Sequence, residues 1–93
     1  STTYRNHLGQ LHRIHGPAVT CGNGTTIWYK DDLMHRTTGP AYVTWDGEYS
    51  WWANGKLHRE DGPAVIKANG QRHWYLNGQR LKKKEFNELL QSL

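Results

Sequence analysis

The chain has 93 residues, only 35% of them hydrophobic, and a mean hydropathy of −0.90, which leaves room for one small domain and excludes a large globular core. A formal charge of +4 admits acidic partners, nucleic acid included, although Lys82-Lys83-Lys84 supply much of the excess in one place. Cys21 is the lone cysteine, which excludes an intrachain disulfide and a cysteine-based metal site. No stretch reads as a signal peptide or a transmembrane run, and a start without Met reads as a processed or tag-cleaved N-terminus. Together these set the expectation of a cytoplasmic protein with no membrane partner.

The first seven residues precede any repeat. Ser1-Thr2-Thr3-Tyr4-Arg5 leans toward β structure and is expected to supply a capping strand (residues 1–7). A motif then recurs without insertion. His12-Arg13-Ile14-His15-Gly16-Pro17-Ala18 returns as His35-Arg36-Thr37-Thr38-Gly39-Pro40-Ala41. It returns again as His58-Arg59-Glu60-Asp61-Gly62-Pro63-Ala64, 23 residues later each time. Units are therefore assigned to 8–30, 31–53 and 54–76, with a hairpin remnant and a helix over 77–93.

Within each unit two turn signals recur. Asn23-Gly24, Asp46-Gly47 and Asn69-Gly70 form one set. Asp31-Asp32, Asn54-Gly55 and Asn77-Gly78 form the other, with Leu8-Gly9 in the matching place at the start. Asn-Gly and Asp-Gly between apolar segments signal two-residue hairpins. Trp28, Trp51 and Trp74 lie between the two sets, each followed by a second aromatic. The expected fold is mainly β, one curved antiparallel meander growing by about two strands per unit.

Two-residue loops throughout place Trp52 opposite Leu57, Trp51 opposite His58 and Trp51 opposite Tyr42. One face would then carry Val19-Trp28-His35, Tyr42-Trp51-His58 and Val65-Trp74-Leu81. The other would carry Ala18-Tyr29-Met34, Ala41-Trp52-Leu57 and Ala64-Tyr75-Arg80. Both faces are aromatic, so either the sheet curls to cover one or a partner covers it.

After Asn77-Gly78 the period changes. Phe86, Leu89, Leu90 and Leu93 fall at i, i+3, i+4 and i+7, which predicts a short helix capping the end of the sheet. No Ser, Thr, Asp or Asn stands before it as an N-cap.

Trp52-Ala53-Asn54-Gly55-Lys56-Leu57-His58-Arg59, then Gly62-Pro63-Ala64 and Asn69-Gly70, resembles the MORN repeat. The likeness is closer to MORN-like proteins of phages and giant viruses whose links read HRxDGPA, and it covers residues 8–90. Glu85-Phe86 resembles the pair that ends such arrays. Pro17, Pro40 and Pro63 depart from the usual MORN link. The resemblance implies a hairpin-built sheet used as a scaffold or binding surface, with no shared catalytic residues. It also implies an accessory protein acting on a host factor, such as a component of a defence system.

Candidate residues divide by whether they recur. His12, His35 and His58 share a face, but copies about 10 Å apart cannot share an ion whose ligand atoms sit about 2 Å away. Arg13, Arg36 and Arg59 read either as a phosphate ladder or as links bonded to carbonyls and stacked on rings. The fold reading is preferred for these, and for Trp28 and Trp74, because every unit carries them. Departures from the repeat point instead to a partner. The middle unit has Tyr42, Trp45 and Tyr49 where the third has Val65, Ala68 and Arg72. Tyr42, Trp45, Tyr49 and Trp51, with Arg72 nearby, are the expected contact patch.

No nucleophile–base pair, phosphate loop or metal set emerges, so neither enzyme activity nor a cofactor is expected. The expected function is macromolecule binding, with a host protein as partner. Nucleic-acid or nucleotide binding through the Trp and Arg ladders, and self-association of an open face, are the alternatives the pattern leaves open.

Overall fold

Two kinds of tight turn fix the architecture. In the computed structural model, which describes residues 1–91, Asp31-Asp32, Asn54-Gly55 and Asn77-Gly78 have positive φ at both positions, from 50° to 83°. That is the two-residue turn whose twist matches the flanking strands. At Gly24, Gly47 and Gly70 only the glycine is left-handed, with φ of 96°, 93° and 91°. Here the loop holds three residues. Thr44 N donates to Glu48 O at 2.9 Å, and Gly47 N to Thr44 O at 3.2 Å, with the same pattern at Cys21–Thr25 and Lys67–Gln71. The Asn23 and Asn69 side chains accept from the backbone N–H two residues on, both at 3.0 Å, which holds this turn form.

The strands in chain order are β1 Thr2–Thr3, β2 Val19–Thr20, β3 Thr26–Ile27, β4 Tyr29–Lys30, β5 Leu33–Met34 and β6 Tyr42–Val43. Then follow β7 Tyr49–Ser50, β8 Trp52–Ala53, β9 Lys56–Leu57, β10 Val65–Ile66, β11 Arg72–Leu76 and β12 Gln79–Leu81, with helix α1 at Lys83–Gln91. The fold is mainly β and antiparallel with a C-terminal helix, as the turn spacing predicts. Hydrogen bonding divides it into an eight-stranded sheet, ordered β1-β2-β3-β6-β7-β10-β11-β12, and two ribbons, β4-β5 and β8-β9.

Each unit thus contributes a pair of sheet strands and an arm hairpin. Trp28 and Trp51 stand at the crossing from sheet to arm. Trp28 N donates into the sheet, to Ala41 O at 2.6 Å, while Trp28 O accepts His35 N from the arm at 3.1 Å. Trp51 does the same with Ala64 and His58. Neighbouring arms are joined by two bonds apiece. Arg36 N donates to Trp52 O at 3.1 Å and Gly55 N to Met34 O at 2.9 Å. Arg13, Asp32, Arg59 and Gly78 repeat this one unit to either side.

The arm register is the expected one, with Trp52 opposite Leu57 and Ala53 opposite Lys56. The sheet register is not. The three-residue loops shift it by one, so Tyr42 faces Ser50 rather than Trp51, and Val43 faces Tyr49. Val19 and Val65 likewise face Ile27 and His73 instead of a tryptophan. The neighbour of each crossing Trp is an alanine of a link. Ala18, Ala41 and Ala64 are fully buried and, with Val65 and Phe86, make up the apolar core.

Both ends of the array close on themselves. Lys82 stands where Arg13, Arg36 and Arg59 stand, but no fifth arm follows to accept its N–H. The Glu85 carboxylate takes that bond at 3.1 Å, while Lys82 O accepts Phe86 N at 2.9 Å to begin α1. This is the acidic half of a capping box, and it starts a helix that lacks an N-cap side chain. At the other end Gly9 N, the counterpart of Gly55 N, bonds Asn6 O within its own three-residue turn. Phe86 is buried by α1 and Leu90 half-buried, whereas Leu89 is exposed and Leu93 lies outside the described residues.

Replacing Glu85 by Ala removes this bond and is expected to lower stability by about 0.5–1 kcal/mol. Urea unfolding of Glu85→Ala beside Glu85→Gln, which retains an acceptor oxygen, measures it. An unchanged midpoint in both variants would show that the end needs no cap.

Candidate functional site

The recurring side chains form a set of contacts inside each unit. The Arg36 guanidinium carbon lies 3.9 Å from the centre of the Trp28 ring, and Arg59 lies 3.9 Å from Trp51. Arg13 lies 4.1 Å over Tyr4. Each arginine also donates Nη1 to the proline carbonyl of its own link, at 3.4, 3.1 and 3.0 Å for Pro17, Pro40 and Pro63. Nε adds a bond to Thr38 Oγ1 from Arg36 at 3.0 Å, and to Asp61 Oδ1 from Arg59 at 2.7 Å. That bond, with the nearby positive charge, holds the Asp61 carboxyl below its usual range, while burial lowers Arg36.

The link glycines make room for this. A Cβ on Gly16, Gly39 or Gly62 would meet the guanidinium carbon at 2.9, 3.1 and 2.9 Å. Gly-Pro therefore serves two purposes: the glycine admits the cation and the proline carbonyl receives it.

Tyr4 is the member that spacing alone misses. One extra residue in the first hairpin moves the ring from position 5, where the repeat would place it, to position 4. The signal was present in Leu8-Gly9, whose turn has the three-residue form with positive φ only at Gly9.

The histidines are spent in the same way. Nδ1 of His12, His35 and His58 accepts the backbone N–H of Asp31, Asn54 and Asn77, at 3.1, 3.1 and 2.9 Å. A backbone nitrogen can only donate, so neutral His carries its proton on Nε2. Each His thus ties one arm to the turn of the next. Among the described residues no three His, Cys, Asp or Glu gather closely enough to hold a metal.

The non-repeating patch is rearranged by the register. Tyr49 aligns with Val43 and Ile66, and Ile66 with Arg72, so Tyr49 and Arg72 share one face. Trp51, two residues from Tyr49, keeps to that side. Tyr42 aligns with Ile27 and Ser50 and belongs to the opposite face. The expected grouping of Tyr42 with Tyr49 and Trp51 is therefore corrected. Trp51 is also already covered by Arg59. Trp45 occupies the tip of the β6–β7 turn, 69% exposed, its backbone N–H anchored to Thr25 Oγ1 at 3.1 Å. Tyr49 is 40% exposed.

Compared with protein families, curated proteins and solved structures, the chain matches none of them. No described helix is long and apolar enough to cross a membrane.

The link geometry predicts an asymmetry between glycines. Gly62→Ala forces the Arg59 guanidinium off Trp51 and is expected to cost about 1–2 kcal/mol in stacking and hydrogen bonding. Gly22→Ala, with nothing within 4 Å of the new methyl, is expected to stay within about 0.5 kcal/mol of the parent. Paired thermal melts compare them, and equal losses would show that the guanidinium is not seated by the glycine.

Proposed function

We propose that this chain is a non-enzymatic repeat module that binds another protein through the β6–β7 hairpin, with Trp45 and Tyr49 as anchors and Arg72 two strands away on the Tyr49 face. One observation carries the reading. The recurring rings Tyr4, Trp28 and Trp51 each hold an arginine of their own array, whereas Trp45 stands where the other units have Gly22 and Ala68, 69% exposed and with its backbone N–H bonded to Thr25. An exposed tryptophan on a hydrogen-bonded turn, with a tyrosine and an arginine on one face of the adjoining sheet, has the composition of a binding hot spot.

The resemblance to MORN-like repeats of phages and viruses supports a more specific version. There the module is an accessory protein that acts in the host cytoplasm by occupying a host protein, a defence component being the natural target. The ladders favour no competing use. Every arginine in them is engaged by a ring and a carbonyl of its own array.

Trp45→Ala and Tyr49→Ala are expected to leave the melting temperature unchanged and to abolish capture of the host protein that the parent retains from extract. Tyr42→Ala, on the opposite face, is expected to capture it normally. Retention by the first two, or loss only with Tyr42→Ala, would place the contact elsewhere.

A further inference from the structure

The third unit departs from the first two on the sheet face opposite Tyr49. Ile27, Tyr42, Ser50, Val65 and His73 are aligned across neighbouring strands on that face. The middle unit sets the Tyr42 ring in this row, and 23 residues on the third sets only Val65. The arms change in step. Met34 and Leu57 hold the strand position, opposite an aromatic, that Arg80 takes in the last hairpin. His73 stands where the earlier units have Ile27 and Ser50. Within one repeat a ring is withdrawn and a cation is introduced.

A groove of about 370 Å³ lies at this place. Ser50 and Val65 come to it from the sheet, Trp52 and Leu57 from one arm, and Tyr75 and Arg80 from the next hairpin. Trp52 Nε1 donates to Ser50 Oγ at 2.9 Å, which ties the indole to the sheet. Arg80 Nη2 lies 2.8 Å from His73 Nδ1. A guanidinium can only donate, so Nδ1 accepts, His73 is neutral and the bond positions the cation. Lys67 and Glu48 also line the groove, and their charges, 3.8 Å apart, offset one another. One net positive charge remains, on Arg80, beside an indole, a phenol ring, a leucine and a valine.

We propose that this groove binds a small organic monocarboxylate, its carboxylate on Arg80 and its apolar body against Val65, Trp52 and Tyr75. The guanidinium fork matches a carboxylate with two parallel hydrogen bonds. A single uncompensated charge suits a monoanion better than a phosphate, and the carbon-rich lining rewards an apolar body that an inorganic ion lacks. Ser50 and Val65 point to the side of β7 and β10 opposite Tyr49 and Ile66. The groove is therefore separate from the Tyr49 face of the proposed protein contact, and either assignment stands without the other.

The test is a two-dimensional amide and indole NMR titration of the parent protein with 3-phenylpropionate, 3-phenylpropanol and inorganic phosphate. The carboxylate is expected to bind saturably and to move the Trp52 indole resonance, assigned through Trp52→Phe, well beyond those of Trp28 and Trp74. The alcohol and phosphate are expected to bind about tenfold more weakly or worse, for want of the charge or of the apolar body. Two substitutions write the middle unit into the third. Val65→Tyr returns the ring that Tyr42 supplies and is expected to abolish binding. Arg80→Leu, at an exposed position, returns the side chain of Leu57 and is expected to weaken the carboxylate about tenfold while leaving the alcohol unchanged. Should Val65→Tyr fail to fold, Arg80→Leu decides alone. The proposal is overturned if 3-phenylpropionate does not saturate, if the alcohol or phosphate binds as tightly, or if either folded variant binds the carboxylate like the parent.

Discussion

The structure depends on a guanidinium stacked flat on an aromatic ring. Chains this short bury little apolar surface, and among the described residues the apolar core consists of three alanines, one valine and one phenylalanine. A stacked arginine makes up part of the deficit. Its planar head covers a ring, its donors reach a carbonyl of the same link, and its backbone N–H reaches the neighbouring arm. One residue thereby connects sheet, link and arm. Lysine, with a compact and strongly hydrated ammonium, offers neither the flat face nor the fixed fork of donors.

The same economy governs the half-buried arginines and histidines. Arg, His and the turn amides form a closed set, so aromatic and charged residues that look like binding equipment in the sequence are largely committed to one another. A site then has to be sought where the pattern lapses. Trp45 is such a place, because the middle unit adds a ring where the others have Gly22 and Ala68.

Much of the fold was legible before the structure. The 23-residue period, the arms and their register follow from turns such as Asn54-Gly55, where both residues must take positive φ. The sheet register was not legible, because Asn69-Gly70 has the same letters as Asn77-Gly78 yet belongs to a three-residue loop. What separates them is whether the residue before the Asn joins the turn, a property of backbone hydrogen bonds with no marker in the pair itself. That single-residue slip moved Tyr42 to the other face and redrew the candidate patch. The helix was visible in the spacing of Phe86 and Leu90. Its start was not, because a cap was sought in a hydroxyl or amide before the helix and the bond came from Glu85 within it.

The arm-to-arm bonds bear on how such a chain can change in length. Every junction uses the same backbone donors and acceptors, and among the described residues the two outermost junction amides, at Gly9 and Lys82, are satisfied locally. A duplication or loss spanning one whole period, taken anywhere between those ends, would rejoin identical chemistry on both sides of the cut. A change of any other size would strand donors at the seam. Growth of this protein is therefore quantised, and its terminal pieces can be inherited unchanged by shorter or longer descendants.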